Sequence, residues 1–406
     1  MNHSHPVSTP TKPDRLPLSS VRYIVLPLLA LSVLVSIKLN RTLRLAGLAA
    51  YVAWSLHGTR FTAGGGYEDY LKGAFLGATS LVALYDLVLT DPLTEWTHKS
   101  EPGCRLIDMP VWKRVYWVVC AALDNRGIGW SFEVPYVPPL PSHDRWMFLK
   151  RRSRQLLWNL FLVDLAQTYE RLNPVFAPSS TAGMWSQGLL LGYLNLVARL
   201  TVAWGMFNIP YDWLSLACVA SGFHEPQDWP DTFGKWSDAY TVRRFWSRCW
   251  HQRLRRYTAA TGKAAARLLN CKPGTWLSAR VQLIFGFGIS ALAHLPGDLM
   301  VSPRYAGASA PFFLWQILAI TLEDFVIDLS RYVGVEEGKA WGRVVGWVWT
   351  AGWFSVMVGK FIDWTFLAGA GMHETFRFSV VRPMLDYALG LVGTDLVSCM
   401  SRVFAS

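Results

Sequence analysis

The sequence predicts an all-α fold, a polytopic membrane helical bundle of roughly eight transmembrane helices. Only 17% of the 406 residues are charged, whereas soluble domains contain about 25%. Hydrophobic residues make up 52% of the chain, and the mean hydropathy is +0.22. Apolar runs recur along the whole sequence and are separated by shorter polar segments. This composition argues against a soluble enzyme, a disordered chain and a fibrous protein.

The individual elements follow from these runs in chain order. Residues 1–15 hold three prolines among polar neighbours and predict a disordered lead, while residues 16–406 predict one integral membrane domain. A proline-rich segment at 135–141 predicts an interfacial loop, because prolines interrupt regular helices. The remaining apolar runs predict helices at 21–37, 43–56 (partly inserted), 74–89, 156–165, 188–207, 213–220, 277–294, 312–329, 344–367 and 384–397.

The charges indicate membrane-flanking loops. The net charge is +11, but the Lys and Arg residues form short clusters between apolar runs rather than one basic domain. This distribution favours an anionic small ligand and membrane lipid as partners, and no nucleic acid. The six cysteines contain no CxxC pair, so neither a metal site nor a disulfide framework is predicted.

His294 is the first candidate catalytic residue. It closes the predicted helix at 277–294, and an ionisable group near membrane depth is a functional candidate. A neutral imidazole can take a proton from an alcohol near neutral pH. Small residues such as Gly286, Gly288 and Ala293 leave room for a neighbouring helix or a narrow ligand. The alternative is a packed histidine bonded to a backbone carbonyl, and position alone does not separate the two.

The second candidate is a basic and aromatic stretch. A helix that begins at about Asp238 would place Arg244, Arg248 and His251 along one stripe. Guanidinium groups match phosphate oxygens, so the stripe is a candidate phosphate site. An interfacial helix whose arginines contact lipid headgroups would show the same pattern.

Other patterns are less informative. Glu323 and Asp324 lie within an apolar run and are predicted to pair with an arginine on a neighbouring helix. The sequence contains neither a GxSxG elbow nor a P-loop, so no serine is recognisable as the nucleophile of an acyl-enzyme mechanism.

Four motifs are distributed along the chain: NRGIGW at Asn125–Trp130, PDTFG at Pro230–Gly234, RRFWSRCWHQ at Arg243–Gln252 and SALAHLPGD at Ser290–Asp298. Together they resemble the fungal wax-synthase-like acyltransferases of the membrane-bound O-acyltransferase superfamily. Within that group the chain resembles the acetyltransferases that modify terpenoid and meroterpenoid alcohols, and the resemblance covers about 125–364.

The resemblance implies a function and roles for particular residues. His294 would be the general base that deprotonates the acceptor hydroxyl, and His251 would orient the acyl thioester or polarise its carbonyl. Arg243, Arg244 and Arg248 would contact the phosphates of acetyl-CoA, a co-substrate used without a bound cofactor or metal. The acceptor would be a lipophilic alcohol, and the location the endoplasmic reticulum membrane.

Two other functions remain open at this stage. A long-chain acyl-CoA:alcohol transferase would make wax esters with the same histidines. A membrane transporter or lipid-binding protein would use the polar intramembrane residues to line a path, without catalysis.

Overall fold

The computed structural model describes residues 15–139, 144–177, 180, 182–334, 340–368, 378–391 and 394–405. Residues 1–14 of the predicted disordered lead therefore lie outside the described residues. The described part contains helices and turns but no β-strand, apart from isolated bridges at Pro17–Thr62 and His98–Trp130. The all-helical prediction is confirmed for these residues.

The helices are labelled in chain order. The first half of the chain forms α1 (Leu26–Val35), α2 (Arg41–Gly58), α3 (Gly66–Leu84), α4 (Pro92–Glu95), α5 (Val111–Leu123), α6 (Arg145–Leu172) and α7 (Leu189–Ser221). The second half forms α8 (Val242–Arg244), α9 (Arg255–Leu268), α10 (Trp276–Val301), α11 (Ala310–Tyr332), α12 (Ala340–Leu367), α13 (Val381–Gly390) and α14 (Leu396–Ala405). π-helical turns flank three of them, at Val21–Val25, Tyr85–Leu89 and Phe245–Cys249.

The number of membrane spans differs from the sequence prediction. Among the described residues, three helices are long and apolar enough to cross a membrane: Gly66–Leu89, Leu189–Ser221 and Trp276–Val301. This finding fits a membrane helical protein, but the roughly eight spans expected from apolar runs are not reproduced. Charged side chains explain part of the difference, since α6 carries an arginine cluster and α11 carries Glu323 and Asp324.

Two of these spans continue through a proline. α7 is one helix where the sequence predicted two runs, and Pro210 lies inside it. α10 continues past His294 and through Pro296 to Val301, so the prediction that His294 closes a helix is wrong. A proline inside a helix removes one backbone hydrogen bond. Close packing of α10 against α3 supports the helix there.

α3 and α10 pack closely against each other on either side of His294. A Cβ atom on Gly77 would lie 1.9 Å from the Ala293 carbonyl oxygen, and one on Gly73 would lie 2.3 Å from that of Pro296. Only glycine permits such close backbone approach. The small residues of α10 on this side therefore receive a neighbouring helix, whereas a Cβ atom on Gly288 would meet no atom within 4 Å.

Candidate active site

His294 lies inside α10, between α3 and α11. Its Nδ1 atom is 2.9 Å from the hydroxyl of Tyr70 on α3, and its ring stacks on Phe313 of α11 with centroids 4.4 Å apart. No hydrogen bond to its other ring nitrogen, Nε2, is formed by the residues that the structure describes. Protein atoms surround the side chain, yet it keeps accessible surface. His294 is therefore half-buried, with its Nε2 atom available for a further hydrogen bond.

Tyr70 is a site residue that the sequence analysis missed. It lies in the run GYEDYLKG at the start of α3, where no charge or motif distinguishes it. The spacing of Gly73 and Gly77 was the available signal, because small residues four apart mark a face where another helix packs closely. Tyr70 lies one turn before these glycines and shares their approach to α10.

His251 lies on irregular chain rather than on the predicted helix. Regular helix begins at Val242 instead of about Asp238 and ends in a π-helical turn at Cys249, before His251. Such turns are frequent at functional sites. The ring of His251 packs on Phe207 with centroids 4.3 Å apart. Its Nδ1 atom is buried and has no hydrogen-bond partner among the described residues.

Burial controls the protonation of His251. It lowers the pKa of His251 to about 3, and nearby positive charge, that of Arg253 above all, acts in the same direction. His251 is therefore neutral at physiological pH and carries one N–H donor and one acceptor.

Two of the motifs that carry the resemblance, NRGIGW and PDTFG, support the His251 loop. The buried guanidinium of Arg126, from NRGIGW, donates to the backbone carbonyls of Asp231 at 2.6 Å and Pro230 at 2.9 Å. The PDTFG segment is thereby fixed, and it ends at Gly234. The backbone N–H of Gly234 donates to the carbonyl of Cys249 at 3.0 Å.

Close packing and a side-chain amide complete this support. A Cβ atom on Gly234 would lie 1.8 Å from the carbonyl oxygen of Arg248, so only glycine fits there. Gln252, which follows His251, donates from Nε2 to the carbonyls of Pro135 at 3.1 Å and Tyr136 at 3.0 Å. Both sides of His251 are therefore held to neighbouring segments.

The predicted phosphate contact Arg243 is paired with an acid. Its guanidinium lies 2.6 Å from the Asp324 carboxylate, which Arg280 also contacts. Glu323 accepts hydrogen bonds from the backbone N–H groups of Val242 and Arg243. The prediction that the acidic pair meets an arginine on a neighbouring helix is confirmed for Asp324, whereas Glu323 accepts hydrogen bonds from backbone N–H groups and from the Trp349 side chain.

Arg244 and Arg248 differ in their partners. Arg244 lies 3.3 Å from the Asp238 carboxylate. Arg248 stacks on the ring of Tyr136, 4.5 Å from its centroid, and forms no ion pair with any residue that the structure describes. Arg255 contacts the same ring at 5.2 Å. Arg248 is therefore the predicted contact whose charge is uncompensated in this structure.

Known proteins resemble the chain over most of its length. Residues 229–315 match the membrane bound O-acyl transferase family, and this segment contains both His251 and His294. The chain is 33% identical to acetyltransferase ple2 of Rhodocybe pseudopiperita over 307 residues, which are 75% of this chain and 80% of ple2. It is 30% identical to acetyltransferase eriL of Hericium erinaceus over 339 residues, 81% of this chain and 86% of eriL.

A third relative carries a different name. The chain is 28% identical over 330 residues to the O-Mevalon transferase yanI of Aspergillus niger, with 70% of each chain covered. No solved structure matches the chain.

Proposed function

The chain belongs to the membrane-bound O-acyltransferase family, and we propose that it moves an acetyl group from acetyl-CoA to a hydroxyl of a lipophilic secondary metabolite, a terpenoid or meroterpenoid alcohol. The observation that supports this most directly is the pair of half-buried histidines, which both lie in the segment matched by the family. Nε2 of His294 has no hydrogen-bond partner among the described residues, and burial keeps His251 neutral. The endoplasmic reticulum membrane is the proposed location.

The two histidines supply complementary halves of a direct transfer. Nε2 of His294 accepts the proton of the acceptor hydroxyl while the oxygen attacks the thioester carbonyl. The N–H of His251 donates to the carbonyl oxygen, where negative charge develops. Collapse of the tetrahedral intermediate breaks the carbon–sulfur bond. The proton held by His294 then passes to the CoA thiolate, which restores the base.

The aromatic surroundings favour transfer over hydrolysis. Phe313 stacks on His294, and Phe207 stacks on His251. Apolar walls keep water away from the thioester and strengthen the electrostatic interactions inside the site. Both effects favour an alcohol that enters from the membrane over bulk water.

The donor-binding part of the proposal rests on Arg248. Its guanidinium is held on Tyr136, beside Arg255, and can form paired hydrogen bonds with a phosphate group. Arg243 and Arg244 add positive charge nearby, although each already contacts a carboxylate. We therefore assign the main contact with the CoA phosphates to Arg248.

A donor competition tests the proposal. Membranes that contain the protein receive equal amounts of radiolabelled acetyl-CoA and palmitoyl-CoA, with hydroxylated terpenoids and long-chain alcohols as acceptors. Membranes with the same amount of the His294→Ala variant serve as the matched control. We expect acetyl esters of a terpenoid alcohol from the wild-type protein only.

Each other outcome contradicts a stated part of the proposal. Palmitoyl esters of long-chain alcohols as the main product would indicate a wax ester synthase. The name of yanI shows that a protein similar to this chain moves a group other than acetyl. No transfer from inserted wild-type protein would favour transport or lipid binding.

A further inference from the structure

We infer that Gln316 and Glu323 of α11 are positioning residues for the donor site, because they hold the helical segment that carries Arg248 against α12. We call this segment, Val242–Cys249, the donor segment. It consists of α8 and the π-helical turn that follows it. The inference rests on the proposed contact of Arg248 with the CoA phosphates, and it assigns neither residue of α11 a contact with a substrate.

Glu323 holds the start of the donor segment. Its carboxylate accepts a hydrogen bond from the backbone N–H of Arg243 at 3.0 Å and another from the backbone N–H of Val242. It also accepts one from Nε1 of Trp349 on α12 at 2.8 Å. The two backbone groups belong to the first turn of a helical segment, where N–H groups find no partner within the helix. Glu323 is buried, so these three donors replace the water that its carboxylate has lost.

Gln316 makes the same kind of connection about two turns earlier in α11. Its Oε1 atom accepts hydrogen bonds from Nε1 of Trp246 in the donor segment and from Nε1 of Trp353 on α12, both at 3.2 Å. Its Nε2 atom donates to the carbonyl of Phe312 at 2.8 Å, and the side chain is completely buried. Residues seven apart share a face of a helix. Gln316 and Glu323 therefore form one polar row that joins the donor segment to α12.

Trp246 lies where the donor segment changes its helical geometry. The π-helical turn begins at Phe245, and such a turn contains about one residue more than an α-helical turn. The residues within and after it therefore face a different side than they would in a continuous α-helix. Arg248 lies in this turn, and its guanidinium stacks on Tyr136. The hydrogen bond from Trp246 to Gln316 thus helps to set the side on which Arg248 emerges.

His251 is held by a separate set of contacts. Gly234 and Gln252 tie the chain on either side of it to neighbouring segments. The hydrogen bonds of the polar row to the donor segment, by contrast, reach only its first five residues among those that the structure describes. Loss of the row should therefore displace Arg248 more than His251. It should raise the KM for acetyl-CoA more than it lowers kcat.

The polar row predicts opposite effects of two similar substitutions. All the groups that it meets on the donor segment and α12 are N–H donors. Gln316→Glu, in its protonated form, keeps an accepting oxygen and a donor for the carbonyl of Phe312, so the donor KM should stay at the wild-type value. Glu323→Gln turns an NH2 group toward an N–H donor, and Gln316→Met removes the acceptor. Each of these two should raise the KM for acetyl-CoA by about 3- to 10-fold, at most the effect of losing Arg248 itself.

A double-mutant cycle separates positioning from a general effect on the fold. Gln316→Met should not raise the donor KM further in the Arg248→Ala background, because the side chain that it positions is already absent. Gln282→Met on α10 is the matched control and should behave as wild type, since Nε2 of Gln282 donates to Ser278 of the same helix at 3.1 Å. A wild-type donor KM for Gln316→Met would overturn the inference. Equal increases in the two backgrounds, or a Gln316→Glu variant as impaired as Gln316→Met, would also overturn it.

Hydrogen exchange measured by mass spectrometry tests the same contacts without activity. Peptides from the donor segment should exchange faster in Gln316→Met and in Trp246→Phe, which keeps an aromatic ring but removes the N–H donor. Peptides from α3 should exchange as in the wild-type protein, and Trp246→Phe replaces Gln316→Met if the latter does not insert into membranes. Faster exchange in a protein that transfers no acetyl group would support the contacts and refute the proposed function. Unchanged exchange in both variants, with acetyl transfer intact, would overturn the inference and leave the proposed function untouched.

Discussion

The imidazole of His251 should make the protein sensitive to acid. Burial and the charge of Arg253 lower the pKa of His251 to about 3 in the folded protein, against about 6.5 in an unfolded chain. Between these values the unfolded chain binds more protons, so the free energy of unfolding falls as the pH falls through this range. From about pH 7 to about pH 5 the thermal midpoint of His251→Asn should therefore fall less than that of the wild-type protein.

The matched control is His224→Asn, because His224 is an exposed histidine of the loop after α7. Its thermal midpoint should fall as much as that of the wild-type protein. An equal fall for His251→Asn would show that His251 is not the buried neutral group described here.

The Arg248→Ala substitution should weaken binding of the acetyl-CoA donor more than it slows the chemical step. Arg248→Ala should raise the KM for acetyl-CoA about 10-fold, the factor for loss of a charge-assisted hydrogen bond worth about 1.4 kcal/mol, and leave kcat unchanged. Acetyl-dephospho-CoA, which lacks the 3′-phosphate, tests whether that phosphate is the partner of Arg248. If it is, the increase in KM caused by Arg248→Ala and the increase caused by removal of the phosphate should not add. Arg105→Ala, whose arginine pairs with Asp108 on an exposed turn, should behave as wild type. A lower kcat at unchanged KM would refute the phosphate contact.

The sequence singles out the two candidate histidines but does not indicate their surroundings. His294 stands out because an imidazole within an apolar run is costly, and the motif around His251 is specific in combination. Tyr70 lies 224 positions from His294, and nothing in its local sequence indicates that a helix crossing joins them. The three arginines of the motif look equivalent in the sequence. In the structure Arg243 pairs with Asp324 and Arg244 pairs with Asp238, whereas Arg248 has no ion pair among the described residues.

At the scale of elements, the contact between α3 and α10 should control both stability and activity. Gly77→Ala places a Cβ atom 1.9 Å from the Ala293 carbonyl oxygen, so the helices must separate next to His294. We expect a loss of about 1–3 kcal/mol in the free energy of unfolding, as for overpacked cores, together with lower kcat. Thermal unfolding and acyl transfer in the same membranes measure the two effects.

Gly352→Ala on α12 is the matched control, because a Cβ atom there would meet no atom within 4 Å. It should leave kcat unchanged and should not lower the free energy of unfolding, because Ala is more favourable than Gly inside a helix. Wild-type stability of Gly77→Ala would mean that the close approach of α3 and α10 is not present in the protein.

Element positions were predicted better than element ends. The run at 312–329 corresponds to α11 at Ala310–Tyr332, and the run at 344–367 corresponds to α12. Prolines misled the prediction, since Pro210 and Pro296 lie inside α7 and α10, where packing outweighs the lost hydrogen bond. The run at 384–397 divides between α13 and α14.

At the scale of the whole molecule, the protein should remain in membranes without any soluble partner. The three candidate spans among the described residues should resist extraction by alkaline carbonate, which removes peripheral proteins but not helices that cross the bilayer. Immunoblotting of pellet and supernatant measures this, with a resident soluble protein as control. Release into the supernatant would contradict a membrane-spanning fold.

Composition predicted the membrane class but not the number of spans. Low charge and an apolar run are expected of any helix that is covered on all sides, whether lipid or other helices cover it. α11 shows the difference, because its apolar run includes Glu323 and Asp324, which are satisfied by protein groups. Apolar length alone therefore does not establish how many helices cross the membrane.

The most direct test of the central claim compares acetyl transfer by wild-type protein and His294→Ala at equal amounts of inserted protein. Membranes receive radiolabelled acetyl-CoA and the acceptor identified by the donor competition, and the labelled ester is quantified. The account predicts that His294→Ala lowers kcat by about 10²–10⁴-fold, the usual contribution of a general base, with little change in KM. Ester formation at the wild-type rate by His294→Ala would contradict it.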